Sequence, residues 1–140
     1  MSDVVILDTG PLVAWLCRGD RWHRWAADTF RAVAPPLVTC EPVLTEACFL
    51  YAREGGDPAR LLAAVAAGHL RIGLGLERES AAISALLSKY ADAPMSLADA
   101  CVVRLSELHR ECRVLTLDKH FTSYRRLGRA VIPLVSPWSQ

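Results

Sequence analysis

The strongest constraint on this chain is an alternation. Short aliphatic runs are separated by longer stretches with helical periodicity, from one end to the other. The first run, Val4–Leu7, is continuous in Val, Ile and Leu, which suits a strand covered on both faces. It stops at Asp8-Thr9-Gly10-Pro11, where Pro11 fits the first turn of a helix carrying Leu12, Val13, Trp15 and Leu16. A second helix is predicted from Trp22 to Phe30. Leu37–Thr39 reads as the second strand, followed by a helix from Pro42 to about Glu54 that stops at Gly55-Gly56. Asp57-Pro58 opens another helix through Ala67. Leu70–Leu74 reads as a short strand and Glu77 to Tyr90 as a helix. Ser96 begins a helix whose Leu97, Cys101, Leu105 and Leu108 form a core-facing stripe. Val114–Leu117 is the next predicted strand. Ala130–Val135 is the last, placed at an edge because Pro133 lacks a backbone donor.

Strands alternating with helices imply a parallel sheet with helices on both sides, an α/β fold, and 140 residues suffice for one such domain spanning 1–140. Hydrophobic residues make up 52% and charged residues 22%, which excludes disorder as the main state. No apolar run approaches the ~20 residues of a membrane span. The start of the chain, with Asp3 and only a four-residue apolar run, lacks the pattern of a signal peptide, so a cytoplasmic location is expected. Cys17, Cys40, Cys48, Cys101 and Cys112 include no CxxC pair and read as free thiols in a reducing compartment, with no zinc site.

In a parallel α/β sheet, ligands bind beyond the carboxyl ends of the strands. Both clear strands here run into an aspartate, Asp8 and Asp118. Two further acids sit on helices. Glu46 has Pro42, Val43, Phe49 and Leu50 at its helical neighbour positions and is expected to point inward; Asp99 has Met95, Val102 and Val103. Ser96-x-x-Asp99 also reads as a capping box, and both roles can coexist. Four converging carboxylates repel by about 4 kcal/mol per pair at 4 Å and an effective dielectric of 20. A hard divalent cation, Mg²⁺ or Mn²⁺, resolves that conflict and suits phosphodiester hydrolysis.

Net charge is only +1, but its distribution is uneven. Residues 113–129 carry Arg113, Lys119, Arg125, Arg126 and Arg129 against Asp118 alone, a local charge of +4, whereas residues 41–60 carry −2. Arg18, Arg21 and Arg24, interleaved with Trp22 and Trp25, form a second basic group. Arginines beside aromatics suit phosphates and bases. The same aromatic face also reads as core, or as a groove for a partner segment. Rival patterns on similar sheets are not met: a haloacid-dehalogenase-type phosphatase or phosphotransferase needs a second Asp at the position of Gly10, and a response-regulator receiver needs adjacent acids where Thr9 follows Asp8.

Asp8-Thr9, Leu44-Thr45-Glu46-Ala47, Pro94-Met95-Ser96-Leu97-Ala98-Asp99-Ala100 and Leu115-Thr116-Leu117-Asp118-Lys119-His120-Phe121 resemble the signatures of PIN-domain ribonucleases, in particular the VapC-type toxins of toxin–antitoxin pairs. The resemblance spans essentially the whole chain. It implies a three-layer α/β/α sandwich with a mostly parallel sheet of about five strands. It implies a Mg²⁺- or Mn²⁺-dependent endoribonuclease, often a homodimer, held in check by an antitoxin. Carried over by position, Asp8, Glu46 and Asp99 are the core metal-site acids, Asp118 completes the site, and Thr9 and Thr116 orient carboxylates. Where relatives often carry an acid, this chain has Ser96. The expected reaction is attack of an ion-activated water on a backbone phosphorus, with the 3′-oxygen leaving. RNA contacts are expected from Arg18, Arg21, Arg24, Lys119, Arg125 and Arg126. The alternatives are a catalytically inactive RNA- or protein-binding module, and an RNA-processing nuclease that is not a toxin.

Overall fold

Along the first strand, β1 (Val4–Leu7), side chains alternate between two hydrophobic cores. Ile6 packs with one and Val5 and Leu7 with the other, so the sheet is buried on both faces as its unbroken aliphatic composition requires. The computed structural model describes residues 4–139; Asp3 lies outside them. β1 is the middle of a five-stranded sheet in the order β3-β2-β1-β4-β7, with every neighbouring pair parallel. Here β2 is Leu37–Thr39, β3 Leu70–Ile72, β4 Cys112–Leu115 and β7 Leu134–Val135.

On one face lie α1 (Thr9–Leu16), α3 (Glu41–Arg53) and α4 (Ala59–Ala66), which meet Val5 and Leu7 through Leu12, Leu44, Ala47, Tyr51 and Leu61. α2 (His23–Ala32) packs alongside α1 and contributes Trp25 and Phe30 to the same core. On the other face, α5 (Ser80–Lys89) and α6 (Leu97–Leu108) enclose Ile6, Val38 and Val114 with Ile83, Cys101, Val102 and Leu105. This is the expected three-layer α/β/α sandwich. Cys40, Cys101 and Cys112 are buried in it; Cys17 and Cys48 are half-buried.

Local sequence explains the boundaries that hold. α3 stops because Gly55 takes φ +88°, the left-handed conformation that closes a helix end, while the Gly55 and Gly56 amides return to the Ala52 and Tyr51 carbonyls. Asp57 accepts the Ala59 amide at 2.9 Å and starts α4. α6 opens on the full reciprocal box: Ser96 Oγ accepts from the Asp99 amide and Asp99 Oδ2 from the Ser96 amide, both at 3.1 Å. Gly10 lets the first turn of α1 approach the chain beyond β4, where a Cβ would stand 3.1 Å from Leu117 Cβ.

Three strand expectations are corrected, the first being β3, which ends at Ile72 and not at Leu74. β4 begins at Cys112 and ends at Leu115, not Leu117, because its register with β1 runs from Val4↔Cys112 to Leu7↔Leu115; the polar Arg113 hides its first half in the sequence. Asp118 therefore lies three residues beyond the strand, at the head of a 3₁₀ turn, Lys119–Thr122. The expected strand Ala130–Val135 is two strands. β6 (Ala130–Val131) pairs antiparallel with β5 (Arg125–Arg126) in a separate ribbon, and β7 forms the sheet edge. Pro133 separates them: it has no amide to donate, yet its carbonyl accepts from Val114.

Replacing Ser96 by Ala removes one side of the box that opens α6. The expected loss is about 1 kcal/mol, read as a lower urea midpoint with an unchanged m value.

Candidate active site

The carboxyl edge of the sheet gathers the acids. Asp8 leaves β1 at the N-cap position of α1, yet its carboxylate makes no capping hydrogen bond. It turns instead toward β4, where the buried Thr116 hydroxyl donates to Asp8 Oδ2 at 2.7 Å. The same hydroxyl oxygen accepts the Asp118 amide at 2.9 Å. Thr116 thus ties the exit of one central strand to the turn after the other.

Asp99 reaches the same edge from the first turn of α6, half-buried and held by its cap, with Ala98, Val102 and Val103 enclosed around it. Asp99 and Asp118 both raise the pKa of Asp8, and Asp118 and Glu46 raise that of Asp99, so Asp99 is the acid that links Glu46 to the other two. The larger cause in each case is burial, which disfavours the charged form. It pushes Asp8 from 3.8 up to about 7, against the opposing hydrogen bonds from Thr116 and the Thr9 amide.

Glu46 corrects an expectation. It is exposed, because Phe49 is 63% exposed and Leu50 also lies at the surface; the inward face of α3 is Val43, Leu44, Ala47 and Tyr51. It belongs to the site by another route: the buried Thr9 hydroxyl donates to Glu46 Oε1 at 2.9 Å. Asp118 is partly exposed, and its Oδ1 receives the His120 amide at 2.9 Å and the His120 ring Nδ1 at 2.7 Å. No lysine or arginine forms a salt bridge with any of these four acids among the described residues.

Sequence reading missed Tyr124. Its ring is buried between Tyr90 and Phe121, with centroids 5.1 and 5.2 Å away. Its enclosed hydroxyl sits beside Asp99 without a well-formed hydrogen bond. Burial, then the charges of Asp99 and Asp118, push that phenol well above its ordinary pKa. The signal in the sequence is slight: a tyrosine six residues after Asp118, in a segment read only for its charge.

Among the described residues no three acids, histidines or cysteines are clustered tightly enough to clasp an ion unaided. The donors are hard carboxylate oxygens, with an orphaned buried hydroxyl beside them, and that set fits a cation which keeps part of its water shell.

The basic residues divide. Arg18, Arg21 and Arg24 are exposed around the turn between α1 and α2, and Lys119 is exposed beside Asp118. Arg126 is a correction: it is buried, and its guanidinium donates to the His109 and Arg110 carbonyls at the end of α6, so it is not presented to a ligand. Arg125 is engaged with the Thr122 and Tyr124 carbonyls. The tryptophans also separate. Trp25 packs on a core, Trp15 stacks on Phe30 beside an apolar cleft of about 250 Å³, and Trp22 meets Trp138.

Comparison with known proteins gives a consistent picture. Residues 5–127 match the family model described as PIN domain. Ribonuclease VapC26 of Mycobacterium tuberculosis is 29% identical over 127 residues, an alignment covering 89% of this chain and 94% of that protein. The crystal structure of Mycobacterium tuberculosis VapC20, a sarcin-ricin loop cleaving toxin, superposes with a TM-score of 0.72 at 21% identity, covering 85% of this chain and 93% of that one. The structural likeness is one of fold. No helix among the described residues is long and apolar enough to cross a membrane.

The raised pKa of Asp8 carries a signed consequence. The folded chain binds this proton more tightly than the unfolded one. Its stabilising contribution is therefore full below about pH 4, falls as pH rises and is gone above about pH 7, on the order of 4 kcal/mol across the window. Asp8→Asn is neutral throughout. Urea unfolding in chelator should show the variant gaining on the parent by several kcal/mol between those limits. A constant difference contradicts the assignment.

Proposed function

Because the chain belongs to the PIN domain family, we propose that it is a Mg²⁺- or Mn²⁺-dependent endoribonuclease and the toxin of a toxin–antitoxin pair. The observation that carries this reading is a set of carboxylates at the carboxyl edge of a parallel sheet, with Asp8 buried and anchored by Thr116, Asp99 and Asp118 close enough to act on it, and Glu46 held by Thr9. The 29% identity to a ribonuclease along nearly the full length of both chains supports the activity.

Asp8 and Asp99, with Glu46 and Asp118 at the flanks, are the residues that would hold the ion. When bound, a divalent ion supplies charge neutralisation at the scissile phosphate and a water of lowered pKa. The remaining roles belong to the chain. Thr116 keeps Asp8 pointed at the site and Thr9 keeps Glu46 there, so neither carboxylate has to be ordered when substrate arrives. The box around Ser96 fixes Asp99 to the start of α6, where the helix dipole favours its ionised form. The His120 contact orients Asp118 through Oδ1 and leaves Oδ2 without a hydrogen-bond partner among the described residues. Burial of Asp8 excludes water from one side of the reacting centre.

The partner assignments follow from the same reading. An antitoxin partner follows from the family reading, and the apolar cleft bordered by Trp15, Phe30, Leu37, Ala64 and Leu70 is a surface open to one. A homodimer is supported by the exposed Phe49, Leu76 and Leu97 around Glu46. The place of action is the cytoplasm.

Purified protein should cleave single-stranded RNA with Mg²⁺ or Mn²⁺ and stop in EDTA. Asp99→Asn should abolish cleavage, and Thr116→Val should lower it about 10–100-fold while the protein stays folded. Saturating ion should also raise the melting temperature, because an ion at a hundred times its dissociation constant adds about 2.7 kcal/mol. Equal melting temperatures with ion and with EDTA count against the site. Expression should arrest growth, and Asp99→Ala should relieve the arrest; cleavage without arrest points to RNA processing instead.

A further inference from the structure

An aromatic cluster beside the carboxylates joins three segments that are distant in the chain. Trp22, in the turn before α2, meets Trp138, beyond β7, edge to face, with centroids 6.5 Å apart and planes at 76°. The Arg21 guanidinium lies over the Trp22 ring at 4.7 Å from its centroid, and the Lys119 ammonium over the Trp138 ring at 5.3 Å. Lys119 directly follows Asp118. Trp138 lies three residues past β7, which is parallel to β4, so it emerges at the carboxyl edge of the sheet where Asp8 and Asp118 lie. Trp138 thus lies within reach of the side chain next in sequence to Asp118, and Trp22 lies against Trp138.

Packing does not account for this cluster. Neither Trp22 nor Trp138 belongs to the two hydrophobic cores, whereas Trp25 does. Both rings remain partly exposed, and the Trp138 indole N–H is enclosed without a hydrogen-bond partner among the described residues, an arrangement that a purely stabilising contact avoids. The turn is held in shape all the same, since Asp20 Oδ1 accepts the Trp22 amide at 2.8 Å. Two indoles at right angles, each accompanied by a cation, with Arg18 and Arg24 exposed nearby, match the requirements of an unpaired nucleotide strand. The ring surfaces suit bases whatever their identity, and the cations suit phosphates. Duplex RNA offers no free base faces to such a site.

We propose that Trp22 and Trp138, flanked by Arg21 and Lys119, form a stacking platform that holds an unpaired RNA base next to the Asp118 side of the carboxylate site. This rests on the nuclease reading above and adds to it where the strand lies. Before RNA arrives the two cations rest on the rings; on binding they move to the phosphates on either side of the stacked base.

The test uses short unpaired oligoribonucleotides of mixed sequence and the Asp8→Asn protein, which is expected to bind without cutting. Trp22→Leu with Trp138→Leu should raise the dissociation constant about tenfold or more, whereas Phe at both positions should restore it to within about twofold. Binding should quench indole fluorescence in the parent and not in the Phe pair. A self-complementary duplex should bind equally well to all three proteins. Replacing Arg21 and Lys119 by Gln, both on the surface, should flatten the salt dependence of binding, which gives a reading even if the Leu pair fails to fold. Unchanged affinity and quenching in the substituted proteins would overturn the platform while leaving the nuclease reading intact. So would loss of antitoxin binding with RNA binding retained, which would make this face a protein interface. Failure of the unsubstituted protein to cut or bind any RNA sinks the enzymatic reading itself, a result distinguishable from either.

Discussion

The buried hydrogen bond from Thr116 to Asp8 joins residues 108 apart in sequence and ties the exit of β1 to the turn after β4. Without it, a carboxylate enclosed at the end of β1 faces two other acids with only the Thr9 amide in support. With it, Asp8 is held in one direction and the Asp118 amide is satisfied by the same oxygen. A buried carboxyl group disfavours its own charge, and here that cost is concentrated where a cation would remove it. The fold loses stability at this edge and recovers it in two aliphatic cores, one on each face of the sheet.

Around that bond each acid is held by a different device. Asp99 is fixed by a helix cap, Glu46 by the hydroxyl of Thr9, and Asp118 by the backbone and ring of His120. A parallel sheet makes this arrangement economical. All five strands deliver their ends, and the starts of the following helices, to the same edge. The acids are brought near without being pressed together, so the site suits an ion that keeps several waters. Tyr124 completes the enclosure with a hydroxyl that has no well-formed hydrogen bond among the described residues.

The basic residues show how local charge counts can mislead. The +4 segment after β4 suggests a binding strip, yet Arg126 is spent on the carbonyls at the end of α6 and Arg125 on its own turn. An arginine that caps a helix and one that meets a phosphate look alike in a sequence. What separates them is whether the fold carries the guanidinium inward, and here β5 presents Arg126 to the carbonyls at the end of α6.

Periodicity and punctuation were enough to specify the layers. Aliphatic runs of three or four residues, Pro near helix starts, Gly55-Gly56 and the Ser96–Asp99 box are local signals, and local backbone chemistry determined α1, α3, α4, α6, β1 and β2 closely. Motif resemblance picked out Asp8, Glu46, Asp99 and Asp118. The registers of β4 and the split of the last strand were not legible, because pairing with β1 and the break at Pro133 are decided by neighbours far away in the chain. The exposure of Glu46, the burial of Arg126, the approach of Tyr124 to Asp99 and the meeting of Trp22 with Trp138 are likewise products of the tertiary fold. Residue order dictates which side chains are available and which backbone segments form. Which of them face each other, and which are left with solvent, depends on long-range packing that no window of local sequence contains.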